Sequence, residues 1–374
     1  MQTKLLLAGD VMTGRGIDQV MHHPCPPQLE EPAVQDAREY VQMAEHVNGP
    51  IPSSVDPAYI WGDALAEIDR FDPHARIFNL ETAVTNAGQP WRRKGVHYRM
   101  SPAHIDCLAA ARVDVCVLAN NHILDWGEDG LNDTLSTLRH AGLATAGAGR
   151  TSIEAAAPAV VTRPDGGRIL VFAFAAYDAG VPPAWEANHM PGVNMLSPDN
   201  VHLQQTAARL LAAQRPGDIV VASVHWGANW VDRIPAVHRR IAHYFIEAGA
   251  ADVIHGHSAH HPLPAEVYQG KLILYGCGDL INDYEGITGL GPARSDLVCF
   301  YAVTMENDGD LRGLEVLPYR IRRFRLCQMT QDEREWLRDF LNRRSQPFGT
   351  NLATAAHRHW HLAWHEGRND EAAW

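Results

Sequence analysis

The chain has 374 residues, 46% of them hydrophobic, and a formal net charge of −12. That length and composition suit a soluble α/β protein with a large core, and the acidic balance argues against a general nucleic-acid or anionic-membrane binder. Cys25, Cys107, Cys116, Cys277, Cys299 and Cys327 form no CxxC pair, which favours reduced thiols. No stretch reaches membrane-spanning length and the apolar run before Asp10 is too short for a signal-peptide core, so the expected location is cytoplasmic.

Taken in chain order, the apolar runs "KLLLAG", "ARIFNL", "VDVCVLA", "RILVFAFA", "DIVVASV", "ADVI", "KLILYG" and "LVCFYAVTM" read as strands alternating with helices and loops, the rhythm of a layered α/β fold. Between Met21 and Trp61 two proline-rich stretches bracket the amphipathic "AREYVQMAEHV". This segment, about residues 22–62, reads as a lid or rim inserted in the main domain, which spans 1–325. Leu131, Leu135 and Leu138 share one helical face, with Gly142 where that helix stops. Thr330 and Glu333 match a capping box ahead of Trp336, Leu337, Phe340 and Leu341, so residues 326–374 read as a helix and a tail packed on the domain. The tail itself, "HRHWHLAWHEGRNDEAAW", fits no clean period.

The strand ends carry the chemistry. Asp10 follows the first run; Asn79 and Glu81 close the second; Asn120, Asn121 and His122 follow the third; His225 ends the fifth; His255, His257, His260 and His261 follow the sixth. A lone polar residue beside a strand is usually a loop cap. Five such ends in order assemble the carboxylate, amide and imidazole groups that divalent metals and acid/base sites use, in the crevice where open α/β sheets bind ligands.

These residues resemble a family. "AGDVMTGR", "NLET", "NNHILDWGEDGLNDTL", "VHWGANW", "GADVIHGHSAHHP" and "ILYGCGDL" look like the successive motifs of CapA-type proteins, named for capsular poly-γ-glutamate synthesis, within the calcineurin-like metallophosphatase superfamily. The resemblance implies a four-layer α/β/β/α sandwich with a two-metal centre. In it Asp10, Glu81, Asn121, His225 and His257 are ligands, His260 is a weaker match because its spacing departs from GHxH, and His122 is the acid beside the substrate. The usual DxH reads Asp10-Val11-Met12 here, so one subsite loses an imidazole. The anchor of capsule-associated relatives is not expected.

That loss directs the functional expectation toward acid/base chemistry without metal: an epimerase acting on the α-carbon of a lasso-type precursor peptide, using Asp10, Glu81, His122, His225 and His257 and needing no cofactor. The alternatives are a metal-dependent phosphoesterase or an amide hydrolase or ligase of polyglutamate or capsule metabolism, using Zn, Mn or Fe, and a non-catalytic binding module. The expected partner is a peptide, with neither nucleic acid nor membrane. Lys94 and Arg99 are candidates for an anion clamp, and Trp61, Trp226 and Trp230 for an aromatic wall. Asp279 and Asp283 are candidates to orient a histidine, and Cys277 reads as packing.

Overall fold

The computed structural model describes residues 2–289, 294–355 and 358–364. The end of the expected tail, 365–374, lies outside them. Two mixed sheets form the body. In the first, β1 (Thr3–Val11), β2 (Ala75–Leu80) and β3 (Val115–Val117) run parallel, extended by Ala144–Ala146. In the second, β4 (Arg168–Ala176), β5 (Ile219–His225), β6 (Val253–His257) and β7 (Lys271–Leu274) run parallel, with Ala265–Tyr268 antiparallel at the β7 edge and, at the β4 edge, Ala159–Thr162 antiparallel and Met195–Leu196 parallel. The chain then returns to the first sheet through β8 (Leu297–Met305) and β9 (Leu311–Ile321), both antiparallel to their neighbours.

Alternation along the strands separates the layers, because successive side chains point to opposite faces. Ile169, Val171, Ala173 and Ala175 of β4 pack toward the first sheet, in one core with Leu5, Leu7 and Ile77. Leu170, Phe172 and Phe174 face the other way, onto Leu203, Ala207 and Leu210 of the helix Asn200–Ala213 and Ile241 and Phe245 of Ala236–Glu247. On the far side of the first sheet, Trp61 packs on Phe78 and Phe78 on Phe300, under the helical segment Tyr59–Phe71. The result is helix, sheet, sheet, helix, the expected four-layer α/β/β/α sandwich.

The helix Gly127–His140 buries Leu131, Leu135 and Leu138, and Thr330 and Glu333 close both bonds of a capping box at the start of Gln331–Ser345. The tail differs from the aperiodic reading. Thr350–Thr354 and Trp360–Trp364 pair antiparallel and continue the first sheet beyond β9. The signal is faint in sequence because exposed positions hold alanine, Ala353 and Ala363, which blurs the apolar–polar alternation of a half-buried strand.

Segment 22–62 is clamped to the body. It carries the helix Arg38–Asn48, and Arg15 reaches across to hold it. The Arg15 guanidinium is buried, forks onto Asp283, donates to Glu31 and Tyr40, and lies 3.9 Å from the Tyr40 ring centre. Among the described residues no helix is long and apolar enough to cross a membrane.

Candidate metal centre

Asp10 reaches the centre through a bulge. In the pairing of β1 with β2, Ala8 lies opposite Phe78 and Asp10 opposite Asn79, leaving Gly9 as an extra residue. Without it Asp10 would share the outward face of Ala8; with it, Asp10 turns into the space between the sheets. Glycine is required there, since a Cβ at position 9 would stand 1.8 Å from Gly278 O. Asn79 then donates to Asp10 Oδ1 at 2.7 Å, and Asn120 donates to Asn79 Oδ1 at 3.1 Å while accepting from the His122 amide. Asn120 thus ties three strand ends together.

The second sheet delivers the histidines by parity. Ser223 and His225 of β5, and His255 and His257 of β6, continue the alternate positions that face the first sheet, after Ile219, Val221 and Val253. His225 Nδ1 and His257 Nδ1 stand 2.8 Å apart. Beyond β6 the chain curls through left-handed backbone at Ser258 (φ 102°) and His260 (φ 58°), an unfavourable conformation for residues other than glycine. The curl turns His260 back to within 2.8 Å of Asp279 Oδ1 and 3.6 Å of Asp10 Oδ2.

Asp10, Glu81, His122, His225, His257 and His260 therefore converge. One atom each from Asp10, His225 and His257 lies within 4.8 Å of the others, and the same holds for Asp10, Glu81 and His260. Asn121 Oδ1, Glu81 Oε1 and His225 Nε2 are buried with no hydrogen-bond donor or acceptor, although Glu81 Oε1 and His225 Nε2 are 3.8 Å apart. A buried polar atom without a partner costs about 1–3 kcal/mol. Carboxylate and amide oxygens with imidazole nitrogens are suitable donors for a divalent ion, and these lone pairs are where one would be satisfied. The residues fit a metal.

Protonation agrees with that fit. Burial pushes Asp10 up to about 6 against the pull of His260, and burial followed by the charge of Asp10 pushes Glu81 well above the carboxylate range. Two buried carboxylates are short of positive charge. Burial also drives His225 and His257 well below the ordinary histidine range, keeping them in the neutral form that binds metal.

His122 is held by a residue that the sequence reading does not single out. Asp125 Oδ2 lies 2.6 Å from His122 Nδ1, while Asp125 Oδ1 takes the Lys94 ammonium at 2.6 Å. The signal was available in the i, i+3 spacing of "HILD". A carboxylate only accepts, so His122 carries its proton on Nδ1; Lys94 Nζ, 2.9 Å from that nitrogen, donates to Val96 O and lies in an ion pair with Asp125. His122 Nε2 is left facing Glu81 Oε1 at 3.9 Å. Burial lowers His122 to about 4, Asp125 opposing and Lys94 reinforcing the shift.

Four expected substrate contacts lie elsewhere or are occupied. Trp61 is fully buried in the outer layer with its indole N–H on Cys107 O. Trp226 is buried in the other helical layer, bonded to Tyr275 O and stacked on His238. Arg99 stacks 3.7 Å above Trp126 near Cys25 and Pro26, and Lys94 is committed to Asp125. Of the three expected tryptophans it is Trp230 that packs on His260, with Tyr284 beside both. Met12, at the third position of Asp10-Val11-Met12, is fully buried, and its sulfur accepts from the Tyr284 hydroxyl at 3.6 Å. Asp279 orients His260, whereas Asp283 serves Arg15. Cys277 is buried, and burial raises its thiol well above the ordinary range.

Residues 4–284 match the model of a family described as bacterial capsule synthesis protein. A probable polyglutamine synthesis accessory protein of Mycobacterium tuberculosis is 45% identical over 94% of this chain and 93% of its own length. The capsule biosynthesis protein CapA of Bacillus anthracis is 29% identical over 51% of this chain and 45% of its own. The PGA biosynthesis protein CapA of Bacillus subtilis is 28% identical, over 55% and 52%. A solved structure described as a novel phosphatase, from Mycoplasma pneumoniae, aligns over 86% of this chain and 94% of its own with a TM-score of 0.45 and 11% identity, a likeness too loose to carry a conclusion. With three quarters of its length matched by the family model and a near-full-length relative at 45% identity, the chain belongs to the bacterial capsule synthesis protein family, PGA_cap.

Proposed function

We propose that this chain is a metal-dependent hydrolase serving glutamyl-polymer synthesis, cleaving a phosphoester or amide bond of the polymer or its precursor. The observation that carries the proposal is the pair of partnerless buried atoms Glu81 Oε1 and His225 Nε2, 3.8 Å apart, beside Asp10, His257 and His260; Asn121 Oδ1 is a further buried atom with no hydrogen-bond partner. The polymer is suggested by the names of the relatives. A divalent ion held by these residues supplies Lewis acidity and offsets the buried carboxylate charge.

The protein's own residues do the rest. Asp10 is fixed by Asn79 and the Ser258 amide, so its oxygens cannot swing away. Asp125 and Lys94 orient His122 with Nε2 toward the ligands, where it exchanges a proton with a bound substrate or its leaving group. Trp230 and Tyr284 cover His260 and limit access of water.

A second reading, α-carbon epimerisation of a lasso-type precursor peptide, has Met12 in its favour, since the sequence carries a thioether where the DxH pattern has an imidazole. The relatives' names give it no support. One experiment separates the readings: protein loaded with Mn or Zn is offered aryl phosphate esters, γ-glutamyl peptides and poly-γ-glutamate, in heavy water, with and without chelator. Chelator-sensitive release of phosphate or shortening of the chain is expected. Intact peptide carrying a new α-deuteron, formed despite chelation, would reject the hydrolase.

A further inference from the structure

A chain of hydrogen bonds runs through the strand ends behind the centre and begins at a backbone carbonyl. His255 Nε2 lies 3.0 Å from Ala8 O. His255 Nδ1 lies 3.0 Å from Ser223 Oγ, which in turn lies 2.9 Å from His257 Nε2. All three side chains are buried. Each direction follows from the preceding one. A carbonyl only accepts, so His255 carries its proton on Nε2 and offers a lone pair at Nδ1. That lone pair takes the single Ser223 hydroxyl hydrogen, so Ser223 Oγ must accept from His257 Nε2–H.

We infer that Ser223 and His255 are positioning residues that lock His257 as its Nε2–H tautomer and present the Nδ1 lone pair to the metal. This nitrogen is the one that faces His225 Nδ1 at 2.8 Å and Asp10 Oδ1 at 3.9 Å. The parity that aims His225 and His257 inward also places Ser223 and His255 one step behind them on the same strands, so the lock is built into the sheet. The tautomer is fixed before any ion arrives, and the ligand avoids a rearrangement on binding. The inference rests on the metal reading for its consequence but not for its geometry, which exists without metal.

The test uses the full chain with Ser223→Ala and Ser223→Thr, the latter keeping the hydroxyl. In metal-free protein, imidazole nitrogen NMR should show His257 as a single Nε2–H tautomer in the wild type and a mixture in Ser223→Ala. Zn or Mn affinity should fall ~10–100-fold in Ser223→Ala and return toward wild type in Ser223→Thr, with circular dichroism reporting that each variant is folded. An unchanged tautomer in Ser223→Ala, or wild-type affinity in that variant, overturns the inference. A wild type that shows the single tautomer yet binds no metal would retain the hydrogen-bond lock and overturn its role toward a metal, together with the hydrolase reading.

Discussion

Asp125 grips His122 from three residues away: its Oδ2 accepts from His122 Nδ1 at 2.6 Å and from the Tyr98 amide at 2.7 Å, while its Oδ1 takes the Lys94 ammonium. Replacing the carboxylate by an amide removes the ion pair and allows the other tautomer. Asp125→Asn should lower turnover ~10²–10⁴-fold, the range of a general acid–base group, and leave metal content unchanged. Steady-state kinetics beside elemental analysis checks this; metal loss in step with activity would assign Asp125 to the metal site instead.

Met12 marks the incomplete subsite. Its buried sulfur accepts from the Tyr284 hydroxyl, and a thioether is a weaker donor to Zn or Mn than an imidazole. Met12→His should raise affinity for the more weakly held ion, read by calorimetric titration with Zn or Mn. An unchanged isotherm in a folded variant would show that this subsite holds no metal.

Gly9→Ala tests the bulge. The new methyl group meets Gly278 O, so β1 must shift. A loss of ~2–4 kcal/mol in urea unfolding is expected, with weakened metal binding in the folded fraction, because Asp10 owes its inward direction to that residue.

These three sites show what was legible in the sequence. All eight apolar runs form strands, and Asp10, Glu81, Asn121, His225 and His257 stood out because a parallel sheet sends its strand ends to one side. What stayed hidden depended on local geometry or distant partners. A bulge shifts one residue's parity without altering the hydrophobic pattern, and left-handed backbone at Ser258 and His260 has no glycine to announce it. Lys94 and Arg99 look alike as basic residues in one loop, yet one reaches Asp125 and the other Trp126. Trp61 and Trp226 flank site motifs in sequence but occupy opposite outer layers.

Stability should depend on pH through His255, which burial pushes down to about 4 from an ordinary value near 6.5. Between those values the unfolded chain takes up a proton that the folded one refuses, so this contribution is present above the unfolded value and is lost as pH falls through that window. The stability margin of metal-free wild type over His255→Gln should therefore narrow as pH falls from about 7.5 to about 5. Urea unfolding at the two pH values measures it; a constant or widening margin would contradict the neutral, carbonyl-anchored state.

The most direct measurement is the metal content of protein purified without chelator, compared with His225→Ala and Asn121→Ala, each verified as folded. The buried lone pairs of Glu81, Asn121 and His225 lead to near-stoichiometric divalent metal in the wild type and strong depletion in both variants. Folded wild-type protein that retains no Zn, Mn or Fe and binds none on titration would contradict the metal centre.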